Sequence, residues 1–284
     1  MRCRTMICVL CLLSAAAALV GQQPPVERPK LDCQKLTLDL ATAMETRDYE
    51  SIARIMGQKL DKEDVPKLQK DIDEYEKAGK LTGIINALRL FPQVGEPPAW
   101  VNSIEIGMRY LDNNRFAELG MEFRLKDNVW CVGDFDVEPG KEVPREELDK
   151  CKTEMSQAPA EGQKTIDAGL TKAFTATLDA MKAKDWTTLR KLFLGAGKST
   201  DAELEQQLQK VQERAGGKYF ELAAQFPGIG LVPAPIIEFE FQMSGIVDGK
   251  ETKLEVQFQW RAGETVLTDI DAKQRAPKEP PANK

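Results

Sequence analysis

The chain has 284 residues, enough for two domains of ordinary size, and its 42% apolar content is enough for packed cores. It contains no histidine, which excludes Ser-His-Asp and Cys-His catalysis, histidine general bases and histidine-ligated metals. Its net charge of −6 excludes the basic footprint needed for nucleic acid or anionic lipid.

Residues 1–21 read as a secretory signal peptide. Arg2 and Arg4 precede an apolar run over 6–20, and small residues at 16–18 with Gly21 supply a cleavage site. The run is short for a membrane span, although an uncleaved anchor is the alternative reading. No other apolar run reaches spanning length, so the protein is expected to be exported, periplasmic or extracellular, with no membrane span after signal removal. Loss of the two arginines leaves a charge of −8. Cys3, Cys8 and Cys11 leave with the signal, while Cys33, Cys131 and Cys151 stay. An oxidising compartment permits one disulfide among these three, and Cys33 with Cys151, which flank the first repeat, is the expected pair. Cys131 reads as a buried filler. The spacings fit no zinc framework, so no metal or cofactor is expected.

The first helical pattern follows, with Leu40 and Met44, then Ile52, Ile55 and Met56. A third helix is predicted over 64–78, ended by Gly79. The period then changes to two. Ile104, Ile106 and Met108 form one strand face, Leu119, Met121, Phe123 and Leu125 a second, Cys131 and Phe135 a third. "DNN" and "KDN" supply the turns. Residues 138–165 are charged, rich in Pro and Gly, and read as a linker with a short helix over 144–154.

The same order then recurs. Phe174, Leu178 and Met181, then Leu189, Leu192 and Phe193, predict two helices, and 201–214 a third. Ile237, Phe239, Phe241 and Met243 predict a strand, as do Leu254, Val256, Phe258 and Trp260, and then Val266 and Ile270. "DG" and "AG" supply the turns. The segments 109–137 and 244–272 align without a gap at an offset of 135, and "RDYESIARIM" at 47–56 matches "KDWTTLRKLF" at 184–193 at an offset of 137. The predicted class is α+β, with two tandem copies of a unit that places helices before a curved antiparallel sheet. The copies span 31–137 and 166–272, and a polar, Pro-rich, disordered tail occupies 273–284.

Helices joined at Asp48-Tyr49 and Asp185-Trp186, followed by such a sheet ending in "LKDNVWCVGDFDV", resemble the nuclear transport factor two-like superfamily, also called cystatin-like. The third helix departs from that family's commonest layout. The resemblance implies a cone between helices and sheet. Members bind small apolar ligands there, catalyse isomerisation, dehydration or cyclisation, or mediate protein contacts, so the fold does not choose among these functions.

Strand parity gives the inward residues. They include Tyr110, Met121 and Phe123 in the first copy and Phe239, Phe241, Phe258 and Trp260 in the second, which form the expected lining of a ligand cavity. No acid or base falls among the inward positions, and only Tyr110 and Thr268 bring a hydroxyl, so no catalytic residue is assigned. Asp48 and Asp185 are read as structural helix caps. The pairs Asp134/Asp136 and Asp269/Asp271 point outward and are read as solvated acids, the alternative being a hard-cation site. "GAGKST" at 195–200 lacks the spacing of a phosphate loop and is read as a plain loop. The outer strand faces read as mixed in charge. The expected function is that of an exported, non-enzymatic binding protein for a protein partner or a small apolar ligand. The alternatives are an isomerase, dehydratase or cyclase in one cone, or a structural module whose two repeats pack on each other sheet to sheet.

Overall fold

Where the apolar residues recur at helical spacing the chain is helical, and local side chains set the helix ends. The structure, a computed structural model, describes residues 28–59, 64–89, 91–112, 115–138, 144–146, 148–149, 153, 162–193, 196–228, 236–261 and 264–276. The N-terminal half contains α1 (Cys33–Thr46), α2 (Tyr49–Ile55), α3 (Val65–Lys77), α4 (Leu81–Arg89), β1 (Val101–Asp112), β2 (Arg115–Lys126) and β3 (Val129–Glu138). The C-terminal half contains α5 (Gly162–Ala183), α6 (Trp186–Leu192), a 3-10 turn (Ala196–Lys198), α7 (Asp201–Arg214), α8 (Tyr219–Ala223), β4 (Ile236–Val247), β5 (Lys250–Arg261) and β6 (Glu264–Arg275).

The repeated phrase builds the first corner of each half. Arg47 takes a left-handed conformation, φ 60°, and closes α1, so that the Asp48 N–H donates to the Ala43 carbonyl at 2.9 Å. Asp48 then caps α2 by accepting from the Ser51 N–H at 3.0 Å. Lys184 (φ 54°) and Asp185 repeat both steps, with Asp185 N–H to Ala180 at 2.9 Å and Thr188 N–H to Asp185 at 3.0 Å. The basic residue has a second role that its sequence position did not reveal. Arg47 reaches Asp73 of α3 at 3.0 Å and also Glu76, and Lys184 reaches Glu205 of α7 at 2.6 Å. Each phrase therefore ties three helices together.

All six strands are antiparallel in a single sheet of order β3-β2-β1-β4-β5-β6. The strands of the two halves meet edge to edge at β1 and β4, where the alternative reading had two sheets stacked face to face. Two-residue turns with consecutive left-handed residues close two hairpins, Asp127-Asn128 (φ 50° and 60°) and Asp248-Gly249 (φ 50° and 72°). The turns at 113–114 and 262–263 lie outside the described residues.

Among the described residues four bulges interrupt the ladders. Asn102 of β1 is left over between the pairs Val101–Gly245 and Ser103–Ser244, and Ile237 of β4 between Glu238–Arg109 and Ile236–Tyr110. Gly133 of β3 and Thr268 of β6 are left over against β2 and β5. An inserted residue turns everything beyond it to the other face, which corrects the inward assignment of Cys131 and Val266. Val132 faces Phe123 and Trp130 faces Leu125, while Leu267 faces Phe258. Cys131 instead stands opposite Arg124 and Val266 opposite Gln259. Cys131 remains buried, with its thiol directed at the Arg124 carbonyl at 3.4 Å.

Apolar side chains of the helices and of the inward sheet face form one core cluster that contains Leu40, Met44, Ile104 and Phe123 together with Phe174, Leu178, Phe241 and Phe258. Two short helices, α4 and α8, were not foreseen. Neither is longer than nine residues, and α8 has no side-chain cap to announce it. Element ends also differ from the expected boundaries. β3 runs to Glu138, α5 starts at Gly162, and β6 runs to Arg275 rather than stopping at 272. Residues 1–21, most of the linker, the end of the tail and Cys151 lie outside the described residues, and so does the Cys33–Cys151 pairing, although Cys33 itself is buried.

Candidate functional site

Six of the seven residues expected to line a ligand cavity are packed against neighbours. Tyr110, Met121, Phe123, Phe239, Phe241 and Phe258 are all buried. The Phe123 ring meets Phe91 at 5.5 Å, Phe241 meets Phe226 at 4.8 Å, and Phe258 meets Phe174 at 6.1 Å. The free space bounded by Phe174, Tyr219, Phe226, Phe241, Leu254 and Val256 is about 10 Å³. A small-ligand site needs roughly 300 Å³ or more. Trp260 takes its place in β5 with its backbone opposite Thr265. The Tyr219 hydroxyl is buried without a hydrogen-bond partner among the described residues. Burial first, and then Asp269 and Asp271, push its phenol well above the ordinary range.

The open face of the sheet is different. A groove of about 720 Å³ runs over β2, β1, β4 and β5, across the seam between the halves. Its floor is low where Gly107 and Gly120 stand opposite each other and carry no side chain. Its walls carry Glu105, Glu118, Asp136, Glu238 and Glu240, against one cationic lining residue among those described, Arg109. The outward residues form rows across the strands. Arg109 lies between Glu118, at 4.0 Å, and Glu238, at 3.5 Å, and Gln259 donates to Glu238 at 2.5 Å. In the next row Glu240 is half-buried beside Gly107 and accepts from Gln257 at 3.3 Å. Burial first, then repulsion from Glu255 and Glu105, raises the Glu240 carboxyl above the usual carboxylate range. The described lining of the groove thus carries more anionic charge than its one cation neutralises.

The outward faces of β2 and β5, read from the sequence, looked mixed in charge. The acidity arises because the β1–β4 pairing sets Glu105, Glu238 and Glu240 around one hollow, and no local pattern signals that pairing. Of the outward acid pairs, one member alone reaches the groove. Asp136 lines the groove, Asp134 stands opposite Glu122, and Asp271 is paired with Arg214 at 2.6 Å. Among the described residues, no group of three or more His, Cys, Asp or Glu side chains is arranged to hold a metal ion. The corner aspartates serve as caps on the helical side. The "GAGKST" stretch leads into α7. Thr200 is its N-cap, with Glu203 N–H donating to Thr200 at 3.3 Å and Thr200 N–H to Glu203 at 2.7 Å. That reciprocal box was legible as T-x-x-E and was missed. No described helix is long and apolar enough to cross a membrane. No protein-family model, curated protein or solved structure matches this chain.

Proposed function

We propose that the chain is an exported, non-enzymatic binding protein built from two copies of one α+β unit, and that its open sheet face docks a cationic segment of a partner protein. The charge of the groove carries this reading. Five carboxylates and one guanidinium line about 720 Å³ of concave surface, with Glu240 held half-buried among like charges. A basic, extended segment would relieve that repulsion and fit the hollow over Gly107 and Gly120. The lack of histidine, and of any buried Asp, Glu, Lys or Arg in the packed interior among the described residues, supports a binding role over catalysis. Export rests on the signal-like segment at 1–21.

The duplication is supported by coincidences at one spacing. The bulges at Asn102 and Ile237, and those at Gly133 and Thr268, are each 135 residues apart, as are the aligned strand segments. Helices placed before a three-stranded antiparallel run in each half support membership of the nuclear transport factor two-like superfamily for each copy.

The test is titration of the protein with an oligolysine peptide and, separately, with an oligoglutamate peptide. Saturable, salt-sensitive binding of oligolysine alone is expected, weakened roughly tenfold in E105Q/E238Q/E240Q. Equal binding of both peptides, or an unaffected triple variant, would refute the proposal.

A further inference from the structure

The open sheet face carries two equivalent rows of residues, and one of them is hollow. Across β3, β2, β1 and β4 the register sets Asp136, Gly120, Gly107 and Glu240 side by side. Across β6, β5, β4 and β1 it sets Asp271, Glu255, Gln242 and Glu105 side by side. Each residue of the first row lies 135 positions from its counterpart in the second. The symmetric β1–β4 register exchanges the two rows. Both rows end in an Asp on one side and a Glu on the other. The two inner places hold Glu255 and Gln242 in the second row and no side chain in the first. A Cβ added at Gly107 would come 3.3 Å from the Glu240 Cβ and 3.9 Å from its Oε2, so Glu240 leans over this glycine. A Cβ added at Gly120 would meet nothing within 4 Å. The same architecture therefore offers two matching places, and only the one over Gly107 and Gly120 is left open.

The rows differ in charge as well. In the filled row Asp271 pairs with Arg214 at 2.6 Å and Glu255 with Lys253 at 3.4 Å. In the hollow row neither Asp136 nor Glu240 has an ion-pair partner among the described residues. The cations of the surrounding rows are held by other acids, Arg109 by Glu118 and Glu238, Arg124 by Glu122, and Lys253 by Glu255. We propose that the hollow seats one arginine side chain of the cationic segment, its guanidinium flat on the Gly107–Gly120 backbone between Asp136 and Glu240. This rests on the docking of such a segment to the sheet face. A guanidinium is planar, weakly hydrated and carries five donors in a fixed fork. It can cover bare backbone and donate to a carboxylate on either side. A lysine ammonium is a compact, strongly hydrated point charge with no flat face to lay on the glycines.

The test is calorimetric titration of the parent and of Gly120→Val with oligoarginine and oligolysine of equal length, beside oligoglutamate as the control. Valine suits a strand and fills the hollow without altering its charge. Oligoarginine is expected to bind the parent roughly tenfold tighter than oligolysine. In Gly120→Val that preference should fall to roughly twofold or less, with oligolysine affinity unchanged. Gly120→Ala serves as the second filling variant if Gly120→Val does not fold, as judged by circular dichroism, and should lower the preference in the same direction. Equal affinity of the parent for the two cationic peptides, or an arginine preference kept in a folded filling variant, would overturn the seating of arginine while leaving the cationic docking in place. Binding of neither cationic peptide beyond that of oligoglutamate would refute the docking itself.

Discussion

Ile106 of β1 lies directly opposite Phe241 of β4, and the two are 135 residues apart, the spacing at which the strand segments of the two halves align. On either side the partners exchange places, Ile104 facing Met243 and Met108 facing Phe239. The Ile106–Phe241 pair is thus the central point about which the seam is symmetric. Both side chains are buried in one core shared by helices of both halves.

Because that core is continuous across the seam, the two halves should unfold together. Urea denaturation followed by tryptophan fluorescence and by far-UV circular dichroism should give one coincident transition. Phe241→Ala, which removes the ring from contact with Phe226 and Phe239, should lower stability of the whole chain by about 3–5 kcal/mol. Two separate transitions, with only one displaced, would contradict a shared core.

Gly245 sits where the Asn102 bulge brings β1 close to β4. A Cβ at this position would overlap the Trp100 carbonyl oxygen, which accepts from the Ile246 N–H at 3.1 Å. Gly245→Ala should therefore cost about 2 kcal/mol or more by forcing the seam apart. Gly120→Ala, where an added Cβ meets open space in the groove, should stay within about 0.5 kcal/mol of the parent. Equal denaturation midpoints for the two variants would argue against this account of the seam.

Asp48 and Asp185 both cap short helices, so replacement of either by Ala should lower the melting temperature. A loss of similar size is expected at each, since Ser51 and Thr188 stand in the same relation to their caps. Asn, which retains an acceptor, should restore much of it. Hydrogen bonds from the Ser51 and Thr188 side chains and backbones hold the two carboxyls below the usual carboxylate range. A depressed folded value means the stabilisation is present above the ordinary aspartate pKa and is lost as pH falls through the folded value. The deficit of the Ala variants should accordingly shrink in strong acid, and a pH-independent deficit would assign the effect to something other than the charged cap.

Glu240 should behave in the opposite sense. Its carboxyl is raised, by burial and by Glu255 and Glu105, so the folded state takes up its proton more readily than the unfolded state. The associated stability is present below the ordinary glutamate pKa and is lost as pH rises through the raised value. Glu240→Gln should be more stable than the parent at neutral pH, with the advantage disappearing in acid. Thermal melts across that range, at low salt, would show a less stable variant if the carboxylate were instead held by a favourable partner.

The helices with strong apolar spacing, the corner caps and the hairpin turns were legible because each depends on residues a few positions apart. Asp48 needs only Ser51, and Asp127-Asn128 needs only its own backbone. The short α4 and α8 lacked such signals. Cys131 and Val266 were misplaced because a two-residue period cannot register the bulges at Gly133 and Thr268. Of the groove, the individual acids were visible, but the strands bearing them were read as ordinary solvated faces.

The sequence by itself therefore determined the order of the elements, their local ends and the recurrence of one pattern at a fixed spacing, since these follow from short-range hydrogen bonding and side-chain periodicity. The tertiary structure alone decided that β1 pairs with β4. That pairing filled the interior with aromatic rings and brought Glu105, Glu238 and Glu240 around one hollow. The reason is physical. Register between strands 135 residues apart is selected by burial of their shared apolar face, and the field on the other face is a by-product of that choice.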